Sequence, residues 1–252
     1  MLLKSHTLTL FAGFATAALA CAQAVAQAPD VATIVQKMTL AQRANQELSY
    51  ELLREYQVFA ASDAQPRTEV LARIDFAPPG QKTYTIERST GGMGERAVRH
   101  ALDHEMDLTK DPERIELTER NYNFSYVSED TLAGHQCFVL AARPKRNDRD
   151  LLIASIWVDA QNYRIRRIQG HPQKSPSFWI KSLELTLNYD ERHGMWMQTS
   201  THAQADVRFS GPFTLLSQDL SVHLTPAVAS SRNRSRNVRT AMLAGAALHG
   251  VK

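Results

Sequence analysis

Alternation of apolar and polar side chains over most of the chain is the feature that most constrains its fold. In the segment 67–76, RTEVLARIDF, four apolar residues share one face, opposite charged ones: Val70, Ala72, Ile74 and Phe76. The same period recurs in segments that are joined by short turns, such as APPGQ at 77–81. A period of two with one apolar face is typical of antiparallel strands whose sheet is covered on one side.

The pattern predicts about nine strands. They lie at 67–76, 82–89, 121–129, 135–143, 151–159, 163–170, 179–189, 194–209 and 214–224. In 48–59 the even positions are apolar except for Arg54, which indicates a further strand, but the helix-favouring residues at 51–54 leave a helix as the alternative. Consecutive strands of this kind curl into a barrel or half-barrel.

Two or three helices accompany the strands. Asp30 can cap a helix that places Val31, Ile34, Val35 and Met38 on one face, and the helical pattern continues to about residue 48. A second helix is bounded by glycines at 91–92 and a proline at 112. The helices are too few for alternating β-α units but suffice to form a lid or plug. We therefore predict a mainly β (α+β) fold in one domain, 27–225.

The two ends of the chain differ from this domain. Residues 1–26 combine Lys4, an apolar run and small-residue sites, which is typical of a secretory signal peptide and predicts a periplasmic protein. A lipid anchor at Cys21 is the alternative. The stretch 226–252 is basic, and we predict that it is a disordered tail.

Charge and cysteine content restrict the partners. The net charge is +3, and part of that excess comes from 230–239, so no basic face predicts nucleic-acid binding. After signal cleavage Cys137 is the one cysteine, which excludes an internal disulfide and predicts an inert buried thiol. We expect a monomer.

Catalytic signatures are missing from the sequence. His100 and His104 have a metal-compatible spacing, but no third ligand lies near them in the chain, and we interpret them as solvated helix residues. The chain lacks a G-x-S-x-G elbow, a Walker loop and a G-x-G-x-x-G fingerprint. These observations predict a protein that is not an enzyme, with neither a cofactor nor a metal.

One region resembles a known family. It contains N-Y-x-F at 121–124, a glycine-containing turn, R-P-K at 143–145, I-W-V-D at 156–159 and G-x-P-x-K-x-P-S-F-W-I at 170–180. These motifs resemble the outer-membrane lipoprotein-sorting (LolA-like) proteins. The likeness is specific within 121–190 and looser over the remainder of 30–225.

The resemblance implies a strongly curved antiparallel sheet that forms an open, incomplete barrel closed by helices. It also implies an apolar hollow that holds the acyl chains of a lipid or an acylated lipoprotein. In that family an arginine before a proline in an early turn helps to control opening, whereas here Ala77 stands at that position. This departure weighs against lipoprotein cargo specifically. We hypothesise that Arg54 supplies an internal charge instead.

Strand parity predicts the residues that line the hollow. The predicted ligand-binding residues are Val70, Ile74, Phe76, Tyr84, Ile86, Leu183, Leu185, Leu187, Met195, Met197, Leu216, Leu220 and Val222. The same rows fit an ordinary filled core, and the sequence does not decide between the two. An interaction module of the same fold, which binds an envelope membrane protein, is the competing functional interpretation. Trp157 and Trp179 are expected to pack rather than to recognise a partner.

Overall fold

The computed structural model describes residues 30–44, 48–61 and 63–225. It contains helices α1 (Val31–Arg43) and α2 (Gly92–Lys110) and a short 3-10 turn, Pro112–Arg114. The ten strands are β1 (Ser49–Ala60), β2 (Thr68–Ala77), β3 (Gln81–Ser89), β4 (Tyr122–Leu132), β5 (His135–Pro144), β6 (Leu152–Asp159), β7 (Ile165–Pro172), β8 (Ile180–Arg192), β9 (Met195–Val207) and β10 (Gly211–Thr225).

All ten strands belong to one antiparallel sheet with the order β3-β2-β1-β10-β9-β8-β7-β6-β5-β4. The first strand pairs with the last, so the free edges are β3 and β4, the two strands that α2 connects. Helix α2 packs against β2 and β3 on one side. On the other side, His104 Nε2 lies 3.7 Å from Asp150 Oδ1 in the loop between β5 and β6. Helix α2 therefore lies along the seam that leaves the barrel unclosed.

Local sequence signals explain where the elements begin and turn. The Asp30 carboxylate accepts hydrogen bonds from the amides of Ala32 and Thr33, which caps α1. The β4–β5 and β8–β9 hairpins turn at Ala133-Gly134 and His193-Gly194, where both residues have positive φ. Two-residue turns of that type match the twist of antiparallel strands and favour glycine.

The core consists of two apolar clusters on the inner face of the sheet. The α1-side cluster packs Ile34, Val35 and Met38 against β4 to β7. The α2-side cluster packs Val98 and Leu102 against β1, β2, β9 and β10. Each helix thus covers a different part of the sheet.

The predicted fold class is confirmed: a curved antiparallel sheet, not closed into a barrel, carries two helices. The sheet has ten strands rather than about nine, and the segment for which a helix was the alternative is strand β1. Helix α1 ends at Arg43, earlier than predicted. Neither helix, among the described residues, combines the length and apolar composition that crossing a membrane requires.

The expectations for the chain ends, 1–26 with Cys21 and 226–252, lie outside the described residues. Cys137 is buried, and burial raises the pKa of its thiol.

Candidate functional site

An apolar trough lies on the inner face of β8, β9 and β10. Strand register places Leu183 beside Ala205 and Phe213, and in the next row Leu185 beside Ala203 and Leu215. All six side chains are partly exposed. We call these six residues the inner trough. Its alanines leave space that larger side chains would fill.

Both clusters of the core end beside the inner trough. Phe213 and Leu215 pack against the margin of the α2-side cluster. Leu183, Leu185, Ala203 and Ala205 belong to neither cluster. The trough is therefore apolar surface that the two helices leave uncovered.

Most of the predicted lining residues do lie on the inner face, but largely as filled core. Val70, Ile74, Met195, Met197 and Val222 are buried in the α2-side cluster. Phe76, Tyr84, Ile86 and Leu187 are partly buried around the two clusters, with Phe76 stacked on Tyr50 at 5.2 Å between ring centroids. Leu183 and Leu185 lie in the inner trough. Whether any of them contacts a ligand stays a prediction.

Two predicted residues on β10 point elsewhere, which corrects the shared face expected for Leu216, Leu220 and Val222. Leu216 pairs with Gln57 and His202, on the outer face. Leu220 is 52% exposed. The reason is a bulge: the β1–β10 register shifts after Leu53, so that Arg54 pairs with Asp219 and Leu220 is left without a partner across β1. A bulge of this kind exchanges the faces of the residues on either side of it.

The bulge brings together Arg54, Asp219, Glu105 and Lys82, which we call the buried ionic cluster: Arg54 and Asp219 are buried, and Glu105 keeps 32% of its side chain exposed. Arg54 is 4% exposed, and its Nε donates to Asp219 Oδ1 at 2.5 Å. A second guanidinium nitrogen of Arg54 lies 3.4 Å from Glu105 Oε2 on α2. Lys82 on β3 donates to the other oxygen of Glu105. Two positive and two negative groups thus connect three strands of the sheet to the helix in the seam.

The electrostatics of the cluster favour the charged forms of Glu105 and Arg54, whereas burial opposes that of Asp219. Burial opposes ionisation of Glu105, but Lys82 and Arg54 outweigh it and hold the pKa of that carboxyl below its ordinary value. Burial of Arg54 is likewise outweighed, by Glu105 and Asp219, and its pKa is raised. For Asp219 burial dominates over the attraction of Arg54 and raises the pKa. Arg54, for which we hypothesised an internal charge, is indeed buried. The sequence did not indicate its partners Asp219 and Glu105.

A second group was missed by the sequence: exposed aromatic side chains at one end of the sheet. Phe178 is 72% exposed, Trp179 57% and Phe209 92%. Trp179, which we expected to pack rather than to recognise a partner, lies outside the core and packs on the exposed rings of Phe178 and Phe209. Trp157, in contrast, is only partly exposed and donates to Asp130 at 2.8 Å. The run S-F-W next to a proline was the available signal.

Two surface grooves in the described part of the chain are small. One of about 190 Å³ lies between the β7–β8 connection and the start of β8, and one of about 260 Å³ lies mainly on the outer face near Gln57 and His202. Pockets for drug-sized ligands are typically about 300–1,000 Å³. A long acyl chain would need more space than either groove offers. No group of three or more metal-ligating side chains is assembled within the described residues.

Comparison with known proteins returns structures of low sequence identity. A domain named for outer membrane lipoprotein sorting, from Vibrio parahaemolyticus, is 13% identical over 82% of this chain and 98% of its own, with a TM-score of 0.42. A DUF1329 family protein from Desulfovibrio piger is 10% identical over 79% and 95%, with a TM-score of 0.45. A LolA superfamily protein from Nitrosomonas europaea is 12% identical over 77% and 93%, with a TM-score of 0.37.

No family model matches the sequence, and no match was found among curated proteins. With identities of 10–13% and TM-scores below 0.5, these similarities carry no conclusion about what this chain does. Two of these similar structures are named for the lipoprotein-sorting (LolA) proteins, whose motifs the sequence resembles.

Proposed function

We propose that the protein is a periplasmic carrier or binder of acyl chains, which belong to a lipid or to an acylated lipoprotein. The observation that carries the proposal is the inner trough, with six adjacent apolar residues partly exposed on the concave face. Exposed methylene groups cost about 0.8 kcal/mol each in water, so an uncovered apolar row favours an apolar ligand. The export signal predicted at 1–26 agrees with this role.

A long ligand requires the trough to extend, and α2 is the element that would move. Removing α2 would uncover Val70, Ile74 and Val222, which continue the apolar inner face. Helix α2 buries only Val98 and Leu102 completely, and its remaining attachment includes the buried ionic cluster. We therefore assign α2 the role of a lid and the ionic cluster the role of its latch.

The test is to fill the trough. In the Ala203→Trp variant an indole would occupy the space between Leu185 and Leu215. We expect it to weaken binding of a fluorescent fatty acid at least about tenfold. The indole would exclude at least two methylene groups of the ligand from the trough, and their lost burial corresponds to about a tenfold change in affinity. Lipid extracted from the purified parent protein and identified by mass spectrometry gives the cargo.

Gln204→Trp is the matched control, since it places the same indole on the outer face of the same strand. It should bind the probe as the parent does, and both variants should keep the parent's circular dichroism spectrum. A parent protein with neither co-purified lipid nor saturable probe binding would contradict the proposal.

The alternative is an interaction module that binds an envelope membrane protein. It predicts that the parent retains a specific membrane protein in a pull-down, and that Ala203→Trp retains the same protein. The two outcomes separate a carrier from a partner-binding module.

A further inference from the structure

Three aromatic side chains form a projecting cluster at the end of the sheet where the inner trough terminates. Phe178 and Trp179 come from the β7–β8 connection, and Phe209 comes from the β9–β10 turn. The Trp179 ring meets that of Phe178 at 5.6 Å and that of Phe209 at 6.2 Å, both edge-on. We call these three residues the aromatic tip.

Arg208 holds the two parts of the aromatic tip together. Its amide donates to the Trp179 carbonyl at 2.7 Å, and its Nε donates to the Phe178 carbonyl at 2.8 Å. Its guanidinium also lies over the Phe178 ring, 4.9 Å from the centroid. The rings are therefore held in place before any partner arrives, which lowers the entropy cost of docking.

The fold does not account for Phe209. Its side chain is 92% exposed, so it contributes almost nothing to the core. Its φ of 66° lies in the left-handed region, where glycine or asparagine is the favoured residue. A bulky ring that is both strained and exposed is better explained by what it binds.

The charges around the aromatic tip favour an anionic surface. Lys174 and Arg208 are exposed, and within the described residues neither has a carboxylate partner. Lys181 is paired with Asp206 at 3.3 Å, and Glu184 is the other acidic residue nearby. In the part of the chain that the structure describes, Lys174 and Arg208 are thus two unpaired cations against one unpaired carboxylate, that of Glu184, and the five charged groups together carry a net charge of +1. Aromatic rings beside lysine and arginine are typical of surfaces that lie in the interface of a bilayer.

We propose that the aromatic tip docks this protein on the surface of an anionic lipid bilayer. Rings at the tips of two turns project from the sheet, which suits shallow insertion among lipid headgroups. Arg208 and Lys174 would contact anionic headgroups. Leu183 follows Trp179 by four residues and Phe213 follows Phe209 by four, so the inner trough opens towards the docked membrane. Docking does not depend on the proposed cargo, since a protein that binds no acyl chain can still dock.

The proposal is tested by measuring how the purified protein, in the form that the cell produces, binds to lipid vesicles. We expect the parent to co-sediment with vesicles of phosphatidylglycerol and phosphatidylethanolamine and to bind phosphatidylcholine vesicles at least about tenfold more weakly. Phe178→Ser combined with Phe209→Gly should lower partitioning into the anionic vesicles at least about tenfold. Brominated lipid should quench the emission of the parent, and Trp179→Phe should remove most of that quenching.

Val127→Ser is the matched control, because Val127 is an exposed apolar residue, 56% accessible, on the distant strand β4. It should partition as the parent does. The double variant should unfold at or above the parent's thermal midpoint, since glycine relieves the strained φ at residue 209. Three outcomes would each overturn the proposal. The double variant could partition as the parent does, the parent could bind neutral and anionic vesicles equally, or the aromatic tip could bind a protein and no vesicle. Loss of fatty-acid binding in Ala203→Trp with vesicle binding intact would show that the two sites are separate.

Discussion

At the residue scale, single charged groups decide the local course of the chain. Arg54 is the one charged residue on the inner row of β1, and a buried guanidinium without a counter-ion is strongly unfavourable. The bulge at Leu220 brings Asp219, rather than a leucine, opposite Arg54. The bulge therefore loses the strand pairing of one residue, Leu220, but gives the buried guanidinium of Arg54 a carboxylate partner.

Asp148 illustrates the same effect in a loop and predicts a pH dependence. Hydrogen bonds from Arg114, together with the amide of Asp150, lower the pKa of Asp148 to about 2. Because the folded pKa lies below the ordinary value of 3.8, this carboxylate stabilises the fold above about pH 4, and the contribution is lost as the pH falls towards 2.

In Asp148→Asn we expect the free energy of unfolding at neutral pH to fall by about 1 kcal/mol, with solvent screening included. Urea titrations between pH 7 and pH 2 should show that stability falls less steeply with acidification in this variant than in the parent. Asp107→Asn, at an exposed pair on α2, should change neither value noticeably. An identical acid profile for parent and Asp148→Asn would contradict the assignment.

At the scale of elements, the two helices are attached differently. Helix α1 contributes three completely buried apolar residues to its cluster, whereas α2 contributes two and relies in addition on Glu105. The Glu105 carboxylate forms ion pairs with Lys82 on β3 and Arg54 on β1, so it joins the helix to two strands. Charged attachment is sensitive to its geometry, which suits the lid role that we propose for α2.

Glu105→Gln is expected to loosen α2. Loss of the charge leaves Lys82 and Arg54 incompletely paired, and we expect the free energy of unfolding to fall by about 1–3 kcal/mol. Amide hydrogen exchange should accelerate in α2 more than in α1. Glu95→Gln, which affects an i,i+4 pair with Arg99 on the same helix, serves as the control and should leave exchange in the second half of α2 unchanged. Equal acceleration in both helices would mean global destabilisation rather than a latch.

At the scale of the whole molecule, the sheet curls tightly and yet remains open. Closure would require β3 to pair with β4, but α2 connects these two strands and lies between them. Within the sheet, β6 and β7 approach each other closely at one glycine. This glycine is Gly170 on β7: a Cβ there would lie 2.1 Å from the Ile153 carbonyl oxygen and 2.7 Å from the Ala154 Cα.

Gly170→Ala is therefore expected to destabilise the molecule. The added methyl group forces β6 and β7 apart, at a cost of about 1–3 kcal/mol typical of overpacking. Chemical denaturation measures the change. Gln169→Ala, at the exposed neighbouring position, should leave stability nearly unaltered, and a Gly170→Ala variant as stable as the parent would disprove the close approach.

The alternating pattern by itself determined the strands, their order along the chain and the inner position of residues such as Val70, Ile74 and Met195. These features are local, since a two-residue period and a turn residue specify a strand and a hairpin without reference to distant parts of the chain. The trough residues Leu183 and Leu185 were predicted on the same basis.

Only the tertiary structure decided which apolar rows are filled and which are open, because that depends on where two helices come to lie across the sheet. It also decided the bulge that pairs Arg54 with Asp219, since the cost of an unpaired buried charge arises only when two strands 165 residues apart meet. The aromatic tip has the same origin. Phe178, Trp179 and Phe209 read as ordinary apolar residues in sequence, and only the folding of two turns onto one end of the sheet places them together in solvent.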